Sequence, residues 1–304
     1  MHLKRASHVL SRDDTLMPHP HPLLRWRLPL FYVLSFSILG AVVPYLAATL
    51  IDRGVTGWIL AAAVGALPLG RLVAGPLWSL WTDRTQAPKQ VLILGSLISI
   101  AGLVWLMVAE SVWTVGAVFL LSVGRAPLGP VLDAITLDAL GDQRSDYGRL
   151  RLWGSLGFII GAMGSGVVWE HLGLSPLQLG VVLALPLLLL TIEMPLERGI
   201  RSSPLLPALR VLASDRALPW LLLAAALHFA SHVGSTSFLA VHLSALGYSE
   251  DWTGLILATG VTVEIVLMSQ ARHLLSRFSA RTIFLAAMIV ATPRWLMTAA
   301  VDSA

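Results

Sequence analysis

The sequence predicts an all-α integral membrane protein, a helical bundle of about nine transmembrane helices, and three observations predict it. Hydrophobic residues make up 56% of the chain and charged residues only 12%, against about 25% charged in a soluble domain. Nine stretches approach or exceed the roughly 20 apolar residues that a membrane span needs. The basic residues between those stretches fall almost entirely on alternate loops.

The elements follow in order. A polar tail, 1–28, carries Lys4, Arg5, Arg12, Arg25 and Arg27 and shows no cleavable leader. Spans are expected at 29–51, 57–81, 90–108, 112–138, 152–170, 176–194, 218–241, 252–271 and 282–300. With the tail in the cytoplasm, the inward loops hold Arg84 and Lys89, then Arg144, Arg149 and Arg151, then Arg198, Arg201, Arg210 and Arg216, then Arg272, Arg277 and Arg281. Together with the tail they hold 17 of the 21 Lys and Arg; the outward loops hold Arg53 alone. This is the positive-inside pattern of a multi-pass protein of the inner (plasma) membrane with a cytoplasmic N-terminus.

The longest inward loop, 195–217, reads as a linker. It divides a six-helix half, 29–194, from a three-helix segment, 218–304. Transporters are commonly assembled from three-plus-three repeats, so on that plan the chain reads as a fragment, with a genuine nine-span protein as the alternative. The sequence pI of 10.0 does not indicate nucleic acid, because the cations are scattered between apolar runs and form no phosphate-binding face. The absence of cysteine excludes disulfides, thiolate metal sites and cysteine nucleophiles.

Ionisable groups inside spans are expensive, so each marks a candidate site. Glu264 in the eighth span and Arg294 in the ninth fall near the bilayer midplane, as do His232 in the seventh, Arg125 in the fourth and Arg71 in the second. Five such groups on five helices imply a polar central cavity. Glu264, His232 and Arg294 are candidates for proton coupling; Arg71, Arg125 and His228 are candidates for binding a solute. The plainer readings stay open. Glu264 and Arg294 could be a structural ion pair. Arg71 could bridge helices, and Arg125 could bond carbonyls freed by Pro127 and Pro130. Asp133 is a cap or a gating partner. His228 and His232 share a helix face at metal-ligand spacing, but no further histidine cluster accompanies them, so no metal and no cofactor is expected. No nucleophile–base pair gathers at an interface, so no enzymatic activity is expected either. The fifth span carries Gly154, Gly157, Gly161, Gly164 and Gly166, a composition that lets helix backbones approach closely.

Together these features resemble the major facilitator superfamily, and within it the branch typified by the 3-phenylpropionate permease, related to nucleoside–proton symporters and lactose permease. The resemblance rests on "DYGRLRLWGSLGFIIG" (146–161), on Gly40 with "PYL" (44–46), and on "APLGPVLDA" with Pro127, Pro130 and Asp133. In the second half it rests on His232, Phe238, "GYS" (247–249), Glu264 and Arg294–Trp295. It covers residues 28–304. The loop "WTDRTQAPKQ" keeps Asp83, Arg84 and Lys89 without the superfamily's usual glycine. Arg125 departs from the branch pattern, and the glycine–proline motif of antiporters is absent from the fifth span.

The resemblance implies alternating-access, proton-coupled symport of a small organic solute, with an aromatic carboxylic acid favoured over nucleosides or sugars. Asp83, Arg84, Asp133 and Arg151 would gate. The expected partners are solute, proton and lipid bilayer, with the protein a monomer. A membrane protein without transport activity, or an inactive remnant of a transporter, is the rival reading.

Overall fold

A computed structural model describes residues 22–141, 146–196 and 218–301. Every regular element among the described residues is a helix, as an apolar medium demands: with no water to satisfy the backbone, each N–H and C=O must be paired within its own segment. In chain order they are α1 (Pro22–Val42), α2 (Leu46–Asp52), α3 (Gly57–Thr85), α4 (Pro88–Val108), α5 (Trp113–Arg125), α6 (Leu128–Leu140), α7 (Tyr147–Leu172), α8 (Pro176–Glu193), α9 (Leu218–Ala245), α10 (Glu250–Ser269), α11 (Ala271–Arg277) and α12 (Ala280–Val301).

Seven described segments are long and apolar enough to cross a membrane, or eight when the bent pair α1–α2 is taken as one span. The expected ninth, 282–300, is helical within α12, and its described apolar stretch is Arg281–Pro293. Two expected spans are broken. The first bends by 44° between α1 and α2, where Pro44 lacks a backbone N–H. The fourth divides into α5 and α6 at Ala126–Pro127. The linker lies almost wholly outside the described residues, and most of the N-terminal tail does as well.

Packing follows the small residues. α1 lies along α7, α3 along α5, and α4 between α5 and α8, while α10 packs on α7. A Cβ on Gly157 or Gly161 would overlap the carbonyl oxygen of Val33 or Ser37, and one on Gly40 would overlap that of Phe158. The α1–α7 contact is therefore backbone on backbone. Hydroxyls fasten it: Ser37 Oγ donates to the Gly157 carbonyl (2.9 Å), Ser165 Oγ to that of Ala41 (3.0 Å) and Tyr45 to that of Ala162 (2.8 Å). Bonds of this kind between membrane helices average about 0.6 kcal/mol each. The same logic joins α4 to α5, where Gly124 meets the Ser99 amide and Gly102 the Leu121 backbone. On α3, Trp78 Nε1 donates to the Val123 carbonyl at 2.9 Å.

The bundle has two unlike ends. The Arg-rich end holds the start of α1, the α3–α4 turn and the start of α7. There Arg27 meets Glu193 at 3.5 Å, tying α1 to α8. At the opposite mouth α2, α7, α9 and α10 converge, with Tyr45, Ala48 and Ala240 buried under Trp169 and Val241.

Candidate functional site

α7 and α10 touch near the opposite mouth. Thr253, Gly254 and Ala258 of α10 are buried, and a Cβ on Gly254 would lie 2.8 Å from the Ala162 carbonyl oxygen and the Met163 Cα. Farther along α10, Glu264 is exposed. It follows Leu257 by seven residues and Thr253 by eleven, about two and three helical turns, so it extends the side of α10 that carries those two. Arg294 lies on α12, and its side chain is outside the described residues.

Two guanidiniums come together across α3, α5 and α1. Arg125 ends α5 at the break before Pro127. Its Nη2 donates to the Ser35 carbonyl at 2.6 Å and lies 3.4 Å from Ser35 Oγ, while its Nη1 is enclosed and makes no hydrogen bond. Arg71 of α3 lies close enough for the two charges to act on each other, although no acid is paired with either among the described residues. An enclosed donor without an acceptor is costly, and a solute carboxylate is the kind of group that would satisfy it. Arg125 bonds a carbonyl of α1, and not one freed by Pro127 or Pro130 in its own broken helix.

A second cluster joins α1, α6 and α7. Tyr32 donates to Asp133 Oδ1 at 2.6 Å and lies 3.3 Å from Thr136 Oγ1; Tyr147 approaches the same carboxylate. The Arg151 guanidinium stacks 4.2 Å above the Phe36 ring and 5.9 Å from that of Tyr32, a geometry in which cation and ring attract. Asp133 and Arg151 thus lie around Tyr32, held by aromatic residues that the sequence reading did not single out. No ion pair joins Asp83 or Arg84 to another described residue; Gln86 Nε2 donates to the Asp83 carbonyl at 2.8 Å.

His228 and His232 are half-buried on α9, their rings 4.6 Å apart. His232 Nδ1 lies 2.9 Å from the His228 carbonyl oxygen and 3.1 Å from Ser231 Oγ. The pair faces back onto its own helix at that nitrogen, an arrangement suited to polar lining. The structure therefore brings Arg71 to Arg125, sets Asp133 and Arg151 around Tyr32, and places the His228–His232 pair on α9 and Glu264 on α10.

Sequence reasoning passed over Ser35, Tyr32, Phe36 and Tyr147, each ordinary in a membrane helix. Tyr147 lies inside the "DYGRLRLWGSLGFIIG" stretch and could have been found there.

The MFS_1-like family profile matches residues 25–304. The maltose permease of Geobacillus stearothermophilus is 27% identical over 281 residues, covering 90% of this chain and 70% of the permease. The probable 3-phenylpropionic acid transporter of Escherichia coli (strain K12) is 28% identical over 286 residues, covering 89% and 73%. Among solved structures, the nucleoside transporter NupG superposes with a TM-score of 0.73 at 17% identity, covering 88% of this chain and 71% of that one; at that identity the likeness shows the fold. These relatives are transporters, in keeping with the reading of the chain as a small-solute carrier. The chain is a multi-pass membrane protein with the major facilitator fold, and it belongs to the MFS_1-like family.

Proposed function

We infer that the protein is a proton-coupled symporter of a small organic anion, an aromatic carboxylic acid, working by alternating access as a monomer in the inner (plasma) membrane with its N-terminus in the cytoplasm. The observation that carries the solute class is Arg125: its enclosed Nη1 has no acceptor, and Arg71 lies beside it without an acid. The pair supplies positive charge and directed donors together, and the carboxylate of a solute would complete both. Similarity to the probable 3-phenylpropionic acid transporter supports the same class.

In the coupling step, Glu264 takes a proton, which neutralises the carboxylate and lets the cavity occlude; approach of the Arg294 cation draws the proton off. His232 relays or stores it, and His228 lines the path. Asp83, Arg84, Asp133 and Arg151 gate the Arg-rich end, with Arg151 and Asp133 held ready by Phe36 and Tyr32.

A second solute class has its own observation. The half-buried Asp133 carboxylate and the half-buried Arg151–Phe36 stack offer hydroxyl-binding and ring-stacking groups, and one relative is a maltose permease. Uptake into proteoliposomes distinguishes the two. With an imposed proton gradient, the protein is expected to accumulate 3-phenylpropionate, and E264Q to exchange it without accumulating it. Accumulation of maltose in place of the acid would reject the anion reading. Undiminished accumulation by E264Q would reject the coupling role.

A further inference from the structure

The mouth opposite the Arg-rich end is built from acids. Glu250 and Asp251 open α10, Glu170 and His171 close α7, and Asp52 ends α2. The Glu250 amide donates to Glu170 Oε2 at 3.3 Å, which sets the two acidic side chains at one place. Glu250 Oε2 is enclosed and accepts no hydrogen bond. Tyr45 does not serve it: the phenol hydroxyl lies 2.8 Å from the Ala162 carbonyl oxygen and 3.4 Å from the Glu250 carbonyl oxygen.

The compensating cations are few and already engaged. His171 Nε2 lies 3.0 Å from Asp251 Oδ2, an exposed contact, while Asp251 Oδ1 is enclosed without a partner. Arg53, next to Asp52, is turned onto the Leu106 and Ala109 carbonyls of the α4 end. From α9, His242 occupies the last turn. The acids facing Glu250 are Glu170 from α7 and Asp52 from α2, with Asp251 beside it on its own helix.

This mouth is also the contact that must break for the site to open on that side. A Cβ on Gly166 would lie 2.7 Å from the Glu250 carbonyl oxygen and 2.9 Å from the Tyr45 hydroxyl, so α7, α2 and α10 meet here with no room to spare. An enclosed carboxylate oxygen with no donor, set against further carboxylates, is tolerated as the neutral acid and resisted as the anion.

We propose that Glu250 is a second proton site, a latch that takes up a proton from solution when the α2–α7–α10 mouth shuts and releases it when the mouth opens. No covalent change is involved: a carboxylate becomes a carboxylic acid and its proton comes from water. The proposal needs only a transporter whose mouth opens and closes, so it stands or falls separately from the role of Glu264. By linkage, if closure strengthens proton binding, protons strengthen closure to the same degree. Acid solution favours the shut mouth and alkaline solution the open one.

The test uses the full chain in lipid nanodiscs. It has no native cysteine, so spin labels at L174C and L246C, both exposed and outside the latch, report the width of the mouth. Pulsed electron–electron distances are measured from pH 8.5 to 5.5 without solute. The short-distance population is expected to grow about three- to ten-fold relative to the long one as pH falls. E250Q, neutral at every pH, is expected to hold the short distance throughout. E170Q, which removes one facing charge, is expected to move the midpoint to lower pH, and H171Q to keep the response. A native chain without a pH response, an E250Q chain that keeps it, or a response lost in H171Q alone would each overturn the proposal. E170Q reports on the same site should E250Q not assemble.

Discussion

Arg125 shows what one side chain decides. Its Nη2 is committed to Ser35 of α1, and its Nη1 is enclosed with no acceptor among the described residues. If a solute carboxylate fills that place, truncating the arginine removes a charge-assisted bond worth about 1.5–3 kcal/mol. R125A is expected to raise the half-saturating concentration for 3-phenylpropionate by roughly ten- to hundred-fold, read as initial uptake rate against concentration. R125K is expected to recover little, because an ammonium cannot hold the Ser35 carbonyl with one nitrogen while presenting a second in the same plane. Full affinity in R125A would place the solute elsewhere. The sequence already marked Arg125 and Arg71 as misplaced in lipid, because charge at midplane needs no structure to be noticed. That they lie together, and that Ser35 is the anchor, depended on how α1, α3 and α5 cross.

At the scale of elements, glycines that look alike in the sequence differ in consequence. Gly161 and Gly164 lie three residues apart on α7. A Cβ at Gly161 would overlap the Ser37 carbonyl oxygen, whereas at Gly164 the nearest atom is Leu179 Cδ2 at 4.0 Å. G161A is expected to push α1 from α7 and to cost about 1–3 kcal/mol by overpacking, seen as a lower unfolding temperature in detergent. G164A is expected to leave that temperature unchanged or slightly higher. Equal behaviour of the two would contradict the backbone-to-backbone contact. The glycine-rich composition of the fifth span pointed to close packing; which helix it packs against, and which glycines it uses, is set by the crossing geometry. The bend at Pro44 was equally hidden, because an apolar run reads the same whether straight or bent, whereas Pro127 and Pro130 had already marked the fourth span as a place where carbonyls are freed.

For the whole molecule, burial along α10 differs between the two mouths, so reagents should enter from one side. Thr253 is fully buried and Glu264 exposed on the same side of α10. A membrane-impermeant maleimide supplied at the Arg-rich end of solute-free protein is expected to label E264C rapidly and to leave T253C unlabelled. Supplied from the other side, it is expected to spare both at acid pH. Rapid labelling of T253C at acid pH would show that the mouth is not held shut.

By itself the sequence determined that this chain lives in a bilayer, that it is helical and, through its motifs, to which superfamily it belongs. Those properties follow from composition, apolar run length and local pattern, which the chain carries in one dimension. Only the tertiary structure decided which charges meet. Arg71 beside Arg125, Asp133 bonded to Tyr32, and Glu250 set against Glu170 are pairs 54, 101 and 80 residues apart. Their proximity is a product of helix crossings set by small residues and hydroxyls, and no local pattern encodes it.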